Sequence, residues 1–457
     1  MESACYWLAT RPPRAEAANE RLAGDTEADV LVVGGGFTGL WSALFLKELD
    51  PAVDVAIVEQ GRVASGGSGR NGGIVGETLD HSHELAAAHF GRDEARELAR
   101  LGRENLDELE RWLAARGLDA ELERRGQFIV ALSPLHEEQL RRAVDFAHGL
   151  GLGDWRYLSA GDVQGEIASP LYRGAAFAPR SGTVHPVKLA ESLAAEARRL
   201  GVRIFEGTRV AELAAGPGGV AARTESGSLR AEKAILATNA YSHHLRPELA
   251  ARFLPLYDYI RVSEPLTPEQ RSAIGWRGRQ AVTDARAFFN YYRLTADGRV
   301  LFGTSEAVYY PNNRVDASCD HSPAHYRALD ESFRRHFPAL SGLRFPYAWG
   351  GPICSTTRLT PFFGSAGDRL FYGLGYTGHG IGSTRLAGQI LAHRALGRES
   401  PLLDLSMVRR KPFPYPPEPL RRLAVDAVTR RLRAVDAGER PAWLLRALEW
   451  AGLGFSS

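Results

Sequence analysis

The period of the apolar positions changes twice within the first sixty residues. Residues 29–33 form a short apolar, β-branched run, which is typical of a buried strand. Glycines follow, and apolar positions then recur with helical spacing through about Leu49. A second short strand is predicted from Val53 to Glu59. This order of strand, helix and strand predicts the opening of a doubly wound parallel sheet.

The rest of the chain mixes helical and strand patterns. The predicted elements are helices over 84–116 and 187–200, strands over 202–205, 208–210, 220–224 and 229–237, and aromatic-rich strands over 256–263 and 286–305. An Asp297-Gly298 turn divides the last stretch and predicts a hairpin. The fold class is therefore α/β, and α+β overall. We expect a Rossmann-type FAD-binding domain and an interleaved antiparallel-sheet substrate domain.

A chain of 457 residues is long enough for about two domains. We assign residues 25–83, 160–250 and 344–404 to a discontinuous FAD-binding domain. Residues 84–159 and 251–343 are assigned to the substrate domain. Residues 405–457, which are rich in proline and arginine, form a predicted C-terminal appendage.

Charge and composition exclude several classes of partner. The formal net charge is only +2, so nothing calls for nucleic acid or an acidic membrane. The three cysteines have neither disulfide nor metal-site spacing, which fits a reducing compartment. We find no secretory signal pattern and no stretch of about 20 uninterrupted apolar residues. The sequence therefore predicts a cytoplasmic protein without a membrane span or a metal site, acting as a monomer or a homodimer.

A glycine pattern directly follows the first predicted strand. Gly34-x-Gly36-x-x-Gly39 combines a tight turn, close approach of the backbone to a pyrophosphate, and close packing of helix on strand. The phosphates would lie at the start of a helix, which favours negative charge. Glu59, 20 residues after Gly39, could accept a hydrogen bond from a ribose hydroxyl. The pattern predicts a dinucleotide site; the alternative is a glycine-rich turn without a ligand.

Two further glycine clusters favour FAD over NAD. Residues 66–73 hold five glycines, and Arg70 among them could bind an anionic oxygen; the alternative is a flexible surface loop. Residues 371–383 end a strand and begin a helix whose amides could stabilise a reduced flavin ring. A nicotinamide enzyme does not need this element. His379 is either a catalytic base or a hydrogen-bonding residue.

Several motifs, in order along the chain, resemble the glycine/D-amino-acid oxidase superfamily of FAD-dependent enzymes. The branch most similar contains gamma-glutamylputrescine oxidases and aminophosphonate oxidoreductases. The motifs are Tyr6-Trp7-Leu8, the glycine pattern 32–40, the loop 64–73, Gly182-Thr-Val-His-Pro186, Ala237-Thr-Asn-Ala240 and Gly375-Tyr-Thr-Gly-His-Gly380.

The resemblance implies non-covalent FAD and a set of residues that hold it. The ADP half would bind near Glu59 and the backbone of Val210, and the flavin ring near residues 378–382. The cofactor-binding candidates are Gly34, Gly36, Phe37, Thr38, Gly39, Glu59, Gln60, Ser68, Gly69, Arg70, Asn71, Gly72, Val210, Thr238, Gly375, Gly378, His379, Gly380, Ile381 and Gly382.

The sequence departs from this family at three positions near the predicted flavin. Arg358 stands where aspartate is usual, and it could capture an anionic group instead. Ile353 occupies the place of a carboxylate-binding arginine, which makes a simple α-amino acid a less secure substrate. Gly351 occupies the place of the cysteine that carries covalent flavin in the sarcosine-oxidase branch. These departures favour non-covalent FAD.

Aromatic strands predict a substrate pocket. The period of two places Tyr257, Tyr259 and Arg261 on one face of their strand, and Phe289, Tyr291 and Arg293 on one face of another. Such rings suit an alkyl amine; the alternative is that a face packs against helices. Trp349 and Tyr376 are candidates for positions near the flavin ring. The candidate catalytic residues are His379, Arg358, Tyr259 and Tyr291.

The predicted reaction is oxidation of a C–N bond in a small amine or amino acid. A hydride would pass to the flavin, the imine would hydrolyse, and O₂ would be reduced to H₂O₂. One alternative is a flavin dehydrogenase that passes electrons to a carrier or quinone. Another is a non-catalytic dinucleotide-binding protein. An NAD dehydrogenase would explain only the first glycine pattern.

Overall fold

The computed structural model describes residues 4–13, 20–79 and 81–439. The helices are α1 Tyr6–Ala9, α2 Phe37–Leu49, α3 His83–Phe90, α4 Arg92–Ala115, α5 Pro134–Gly149, α6 Ala160–Glu166, α7 Pro186–Arg199, α8 Pro268–Ile274, α9 Pro323–His336, α10 Gly380–Leu396, α11 Ser406–Arg409 and α12 Leu420–Asp436. The strands are β1 Thr26–Val33, β2 Val55–Val58, β3 Ile74–Val75, β4 Gln127–Ala131, β5 Arg156–Ser159, β6 Gly174–Ala178, β7 Gly182–Thr183, β8 Arg203–Phe205, β9 Glu212–Gly216, β10 Gly219–Arg223, β11 Ser228–Leu236, β12 Leu254–Pro265, β13 Ala281–Asp284, β14 Asn290–Leu294, β15 Arg299–Tyr309, β16 Tyr347–Ser355, β17 Phe362–Ala366 and β18 Leu370–Leu374.

The first sheet is the predicted doubly wound core. Its strand order is β17-β18-β11-β1-β2-β8, and all pairs except β17–β18 are parallel. The apolar run of β1 is buried, as a strand covered on both faces requires. Helices α2, α7 and α10 pack against one face of this sheet and form one core with it. The β9–β10 hairpin packs against the other face. The predicted Rossmann-type domain is confirmed.

The second sheet has the order β16-β12-β15-β14-β13-β4-β6-β5. All its pairs are antiparallel except β4–β13. Its inner face, which includes Ile260 and Trp349, joins the same core as α2, α7 and α10. Its outer face, which includes Tyr257 and Phe302, packs in a separate core with α9. The inner face is therefore the one that meets the first domain.

Three details differ from the sequence-based expectations. The helix expected over 84–116 is divided at Gly91, whose φ of 86° separates α3 from α4. Residues 208–210 form no strand, because the Thr208 N–H donates to the Glu59 carbonyl oxygen instead. Strands β6 and β16 lie inside the ranges assigned to the FAD-binding domain, yet they pair with β4 and β12 of the second sheet.

The chain after Asp404 first packs against β17 of the first sheet through α11, and α12 then lies against the second sheet. Helix α12 ends at Asp436, whose carboxylate accepts hydrogen bonds from the N–H groups of Ala287 and Phe288. Arg421 of the same helix donates to Asn313. The part of the predicted appendage from 440 to 457 lies outside the described residues. Among the helices described, none has the length and apolar character needed to cross a membrane.

Candidate active site

The first glycine pattern brings the start of α2 against β1 and β11. Gly34 has a φ of 111°, and a methyl group there would lie 2.8 Å from the Ala237 carbonyl oxygen. A side chain on Gly39 would overlap the Gly34 carbonyl, so only glycine permits this packing. Ser68 Oγ accepts a hydrogen bond of 2.9 Å from the N–H of Phe37. The first and second glycine clusters therefore meet at the start of α2.

Glu59 lies at the end of β2, as a ribose-binding acid should. Its Oε2 accepts from the N–H of Gly35 at 2.7 Å, and its Oε1 accepts from Gly61 at 2.9 Å. Burial raises the pKa of Glu59. The Thr208 N–H bonds to the Glu59 carbonyl at 2.8 Å and brings Val210 to this side. Gln60 is exposed next to it.

The second glycine cluster, residues 66–73, is fixed by side chains from other parts of the chain. Trp349 Nε1 donates to the Arg70 carbonyl at 2.9 Å, and Trp7 Nε1 donates to the Asn71 carbonyl at 2.8 Å. Arg293 Nη1 donates to the Gly73 carbonyl at 2.8 Å. These bonds argue against a flexible surface loop. Trp349 and Arg293 belong to the second sheet, so the loop joins the two domains.

The Arg70 side chain bonds to other parts of the chain. Its guanidinium pairs with the Asp320 carboxylate and donates to the Ser65 carbonyl at 3.0 Å. The side chain thus links the loop to the segment before α9, and its binding of an anionic oxygen stays a prediction. Asn71 turns inward, where Nδ2 donates to the Ser68 carbonyl and Oδ1 accepts from the N–H of Gly73. Both side chains hold the loop in shape.

The third glycine cluster lies beside the first. Gly375 has a φ of 88°, and its N–H donates to Asn239 Oδ1 at 3.1 Å. Thr38 Oγ1 at the start of α2 donates to the Tyr376 hydroxyl at 2.9 Å. Thr238 is the neighbour of Gly34, since its Cγ2 would lie 3.4 Å from a methyl group there. Residues from all three clusters and from the loop after β11 are thus brought together.

Helix α10 begins inside the third cluster. Gly380, Ile381 and Gly382 form its first turn, which contains no acidic side chain and begins without a side-chain cap. Gly378 precedes it with a φ of 86°. An uncapped helix start of this kind favours negative charge in front of it.

His379 is a hydrogen-bonded residue in this structure. Its Nδ1 lies 3.1 Å from the Thr377 carbonyl oxygen, which can only accept, so Nδ1 carries the hydrogen. The ring packs edge-on against His81, with 5.2 Å between centroids. Burial lowers the pKa of His379 and lowers that of His81 to about 3. Both rings are neutral at pH 7, and His81 is a neighbour that the sequence did not predict.

Two further candidate catalytic residues, Arg358 and Tyr259, are held by other contacts, and their catalytic roles stay predictions. Arg358 is buried, with its guanidinium over the Phe90 ring at 5.3 Å and a hydrogen bond of 3.3 Å to the Pro361 carbonyl. Burial lowers its pKa to about 10. Tyr259 lies on the outer face of the second sheet, where its hydroxyl donates to the Cys319 carbonyl at 2.9 Å. Its face packs against α9, which was the alternative reading of these aromatic positions.

Tyr291 lies on the inner face and has a partner that the sequence analysis missed. Its hydroxyl donates to Asp258 Oδ2 at 2.6 Å. Burial raises the pKa of Asp258 to about 7. The ring of Tyr291 packs beside Gly72 of the loop, where a methyl group would lie 2.8 Å from it. The one available signal was that Asp258 alternates with Tyr257 and Tyr259 and so takes the opposite face.

These residues fit FAD. Glu59 and the start of α2 provide places for a ribose and a pyrophosphate, and Gly34, Gly36 and Gly39 permit the close packing that brings these backbone groups together. The uncapped start of α10 suits the ring edge that becomes negative on reduction. Cys354 is buried on β16, and burial raises its thiol pKa well above the usual value, which makes it a poor nucleophile.

Comparison with known proteins agrees with this geometry. The family model described as DAO, FAD dependent oxidoreductase, matches residues 29–394. Gamma-glutamylputrescine oxidoreductase of Escherichia coli strain K12 is 31% identical over 407 residues, covering 88% of this chain and 92% of that protein. Glycine oxidase of Bacillus licheniformis is 22% identical, covering 81% of this chain and 93% of that protein.

Solved structures share the fold. Glycine oxidase from Bacillus cereus ATCC 14579 has a TM-score of 0.68 at 22% identity, covering 84% of this chain and 99% of that chain. L-proline dehydrogenase from P. horikoshii has a TM-score of 0.68 at 15% identity, covering 84% of this chain and 96% of that chain. The predicted family resemblance is confirmed. The chain belongs to the DAO family of FAD-dependent oxidoreductases.

Proposed function

We infer that the protein oxidises the C–N bond of a small amine or amino acid with O₂ as the electron acceptor. The observation that carries this inference is the meeting of three glycine clusters with an inner sheet face that bears Asp258, Tyr291 and Phe289. The relatives named for gamma-glutamylputrescine and glycine support a nitrogen-bearing substrate. FAD is held without a covalent bond, because Gly351 cannot form one and Cys354 is buried.

The cofactor supplies the two-electron acceptor when it is bound. The protein's own residues supply orientation and a dry environment. Tyr291 and Phe289 present rings 6.3 Å apart beside the loop of residues 66–73, and apolar ring faces suit the carbon next to an amine nitrogen. The first turn of α10 stabilises negative charge in front of it. His81 and His379 stay neutral, so they do not oppose a cationic substrate.

The product of this chemistry is an imine that water hydrolyses to a carbonyl compound. The test is oxygen uptake and H₂O₂ formation by the purified FAD-loaded protein with a panel of small primary and secondary amines and amino acids. We expect equal amounts of O₂ consumed, H₂O₂ formed and carbonyl product. Carbonyl product formed only with an artificial electron acceptor would instead identify a dehydrogenase. No product from any panel member would contradict the proposal.

A further inference from the structure

Asp258 occupies an unusual position on the inner face of the second sheet. The hydroxyl of Tyr291 donates to its Oδ2 at 2.6 Å. Within residues 4–13, 20–79 and 81–439, no other side chain forms a hydrogen bond or ion pair with it. A carboxyl group in the interior usually has a cationic partner, because desolvation otherwise penalises its charged form. Asp258 is therefore poised for a cation that the protein itself does not supply.

The surroundings of Asp258 shield it from water without covering it completely. Asp258 and Tyr291 both keep an intermediate accessible surface, although burial raises the pKa of each. Their accessible surface leaves both groups open to contact with a small molecule. Gly72 and Gly303 flank Tyr291, and a methyl group on either would collide with its ring. Glycine at these two positions allows the ring to stand over the loop of residues 66–73.

The nearby arginines are committed to other partners. The aliphatic part of Arg70 lies beside Gly351, which pairs with Asp258 across strands β12 and β16. The guanidinium of Arg70, however, pairs with Asp320. Arg293 on β14 donates to the backbone carbonyls of Gly73, Val184 and Leu294. Arg261 lies on the outer face and pairs with Asp330. Among the described residues, the inner face of this sheet therefore presents one acidic group and aromatic rings, and its arginines are all bonded to other groups.

We propose that Asp258 is the substrate-binding residue that holds the ammonium group of the amine, with Tyr291 as the residue that positions it. This inference rests on the proposed function and deepens it. The substrate class is a cationic alkyl amine without a carboxylate on the reacting carbon, since such a carboxylate would meet Asp258 rather than an arginine. The rings of Tyr291 and Phe289 add cation–π attraction.

Asp258 also takes the proton that must leave before the C–N bond is oxidised. One N–H bond of the ammonium breaks, an O–H bond forms on Asp258, and the nitrogen keeps the electron pair. Amine and aspartic acid are then both neutral. Tyr291 is the ionisable group in contact with Asp258, and Arg70 remains paired with Asp320 throughout. A raised pKa near 7 allows Asp258 to gain and lose this proton at neutral pH.

The test compares n-butylammonium with 1-butanol, which has the same length and no charge. Both are titrated by calorimetry into holoenzyme whose flavin has been reduced with dithionite under anaerobic conditions, so that no turnover occurs. We expect wild type to prefer the cation by about 10-fold or more, as a hydrogen bond to a charged group implies. Asp258→Asn keeps the size of the side chain and should remove the preference. No preference in wild type, or an unchanged one in Asp258→Asn, overturns the proposal.

A matched pair of tyrosine variants separates positioning from stability. Tyr291→Phe should lower the cation preference several-fold, because Asp258 loses its donor, while Tyr259→Phe on the outer face should leave the preference intact. Equal effects of the two variants would overturn the role of Tyr291. The result is independent of the proposed function, since wild type that oxidises amines while Asp258→Asn keeps its cation preference refutes this inference alone. Each variant's flavin absorption reports that it is folded.

Discussion

At the scale of single residues, Asp258 makes the stability of the protein depend on pH. Burial raises its pKa to about 7, whereas an unfolded chain has an aspartate pKa of about 3.9. The folded state therefore binds more protons between these values, and stability falls as pH rises through them. Above about pH 7 the penalty is constant. Asp258→Asn should accordingly stabilise the protein more at pH 8 than at pH 5, by about 2–3 kcal/mol.

The measurement is urea denaturation of wild type and variant at the two pH values. Asp297→Asn is the control, because hydrogen bonds from Thr295, Arg299 and Tyr6 lower the pKa of Asp297 against the opposing effect of burial. Its effect should be a loss of stability that is the same at pH 5 and pH 8. If the stabilisation by Asp258→Asn does not grow with pH, the pKa of the Asp258 carboxyl group is not raised in the folded protein.

Residues whose role follows from a local pattern could be predicted from sequence, and Asp258 could not. Gly34, Gly39 and Glu59 occupy the expected places because a turn, a helix start and a strand end are all local. Asp258 acquires its role from Tyr291 on another strand, 33 residues away. The period of two divides β12 into two faces, but it does not tell which face meets the other domain. The same pattern therefore favours Tyr259, on the opposite face, as readily as Asp258.

At the scale of elements, the loop of residues 66–73 depends on Arg293. This side chain is 1% exposed, and it donates to the carbonyls of Gly73 and Val184. Arg293→Met keeps most of the length but removes both bonds. The Gly73 carbonyl still accepts from the N–H of Val184, so the loss falls mainly on the Val184 carbonyl. We expect a loss of about 1–3 kcal/mol in unfolding free energy. FAD affinity should fall as well, because the loop of residues 66–73 then loses a side chain that holds it in place.

Urea denaturation and FAD titration of the apoprotein check this prediction. Arg125→Met, at an exposed arginine, is the control and should change neither quantity appreciably. Weaker FAD binding in the absence of lost stability would mean that Arg293 acts on the cofactor directly. Unchanged values for both quantities would contradict the role assigned to it.

Whether a segment forms a helix or a strand could be predicted better than which strands pair with each other. The β1–α2–β2 unit and the β14–β15 hairpin appear where the apolar periods and the Asp297-Gly298 turn place them. Strands β6 and β16 joined the second sheet instead, because pairing with β4 and β12 is non-local and leaves no trace in either strand's own pattern. The break at Gly91 follows from a single backbone conformation that helical spacing does not reveal.

At the scale of the whole molecule, the two sheets meet at one interface, and the loop of residues 66–73 lies in it. Trp349, Arg293 and Tyr291 of the second sheet all contact residues 66–73 of the first domain. Helix α12 also contacts the second sheet. Its Asp436 carboxylate accepts hydrogen bonds from the N–H groups of Ala287 and Phe288, next to Phe289. The proposed function therefore predicts that FAD binding and substrate orientation both depend on this loop.

Oxidation of amines by FAD at this interface is tested most directly by one measurement. The visible spectrum of the purified protein is followed without oxygen while small primary and secondary amines are added. We predict flavin absorption that bleaches with alkyl amines and returns when air is admitted. Asp258→Asn should need at least about 10-fold more amine for the same bleaching. A flavin that dithionite reduces but that no amine in the panel bleaches would contradict the account.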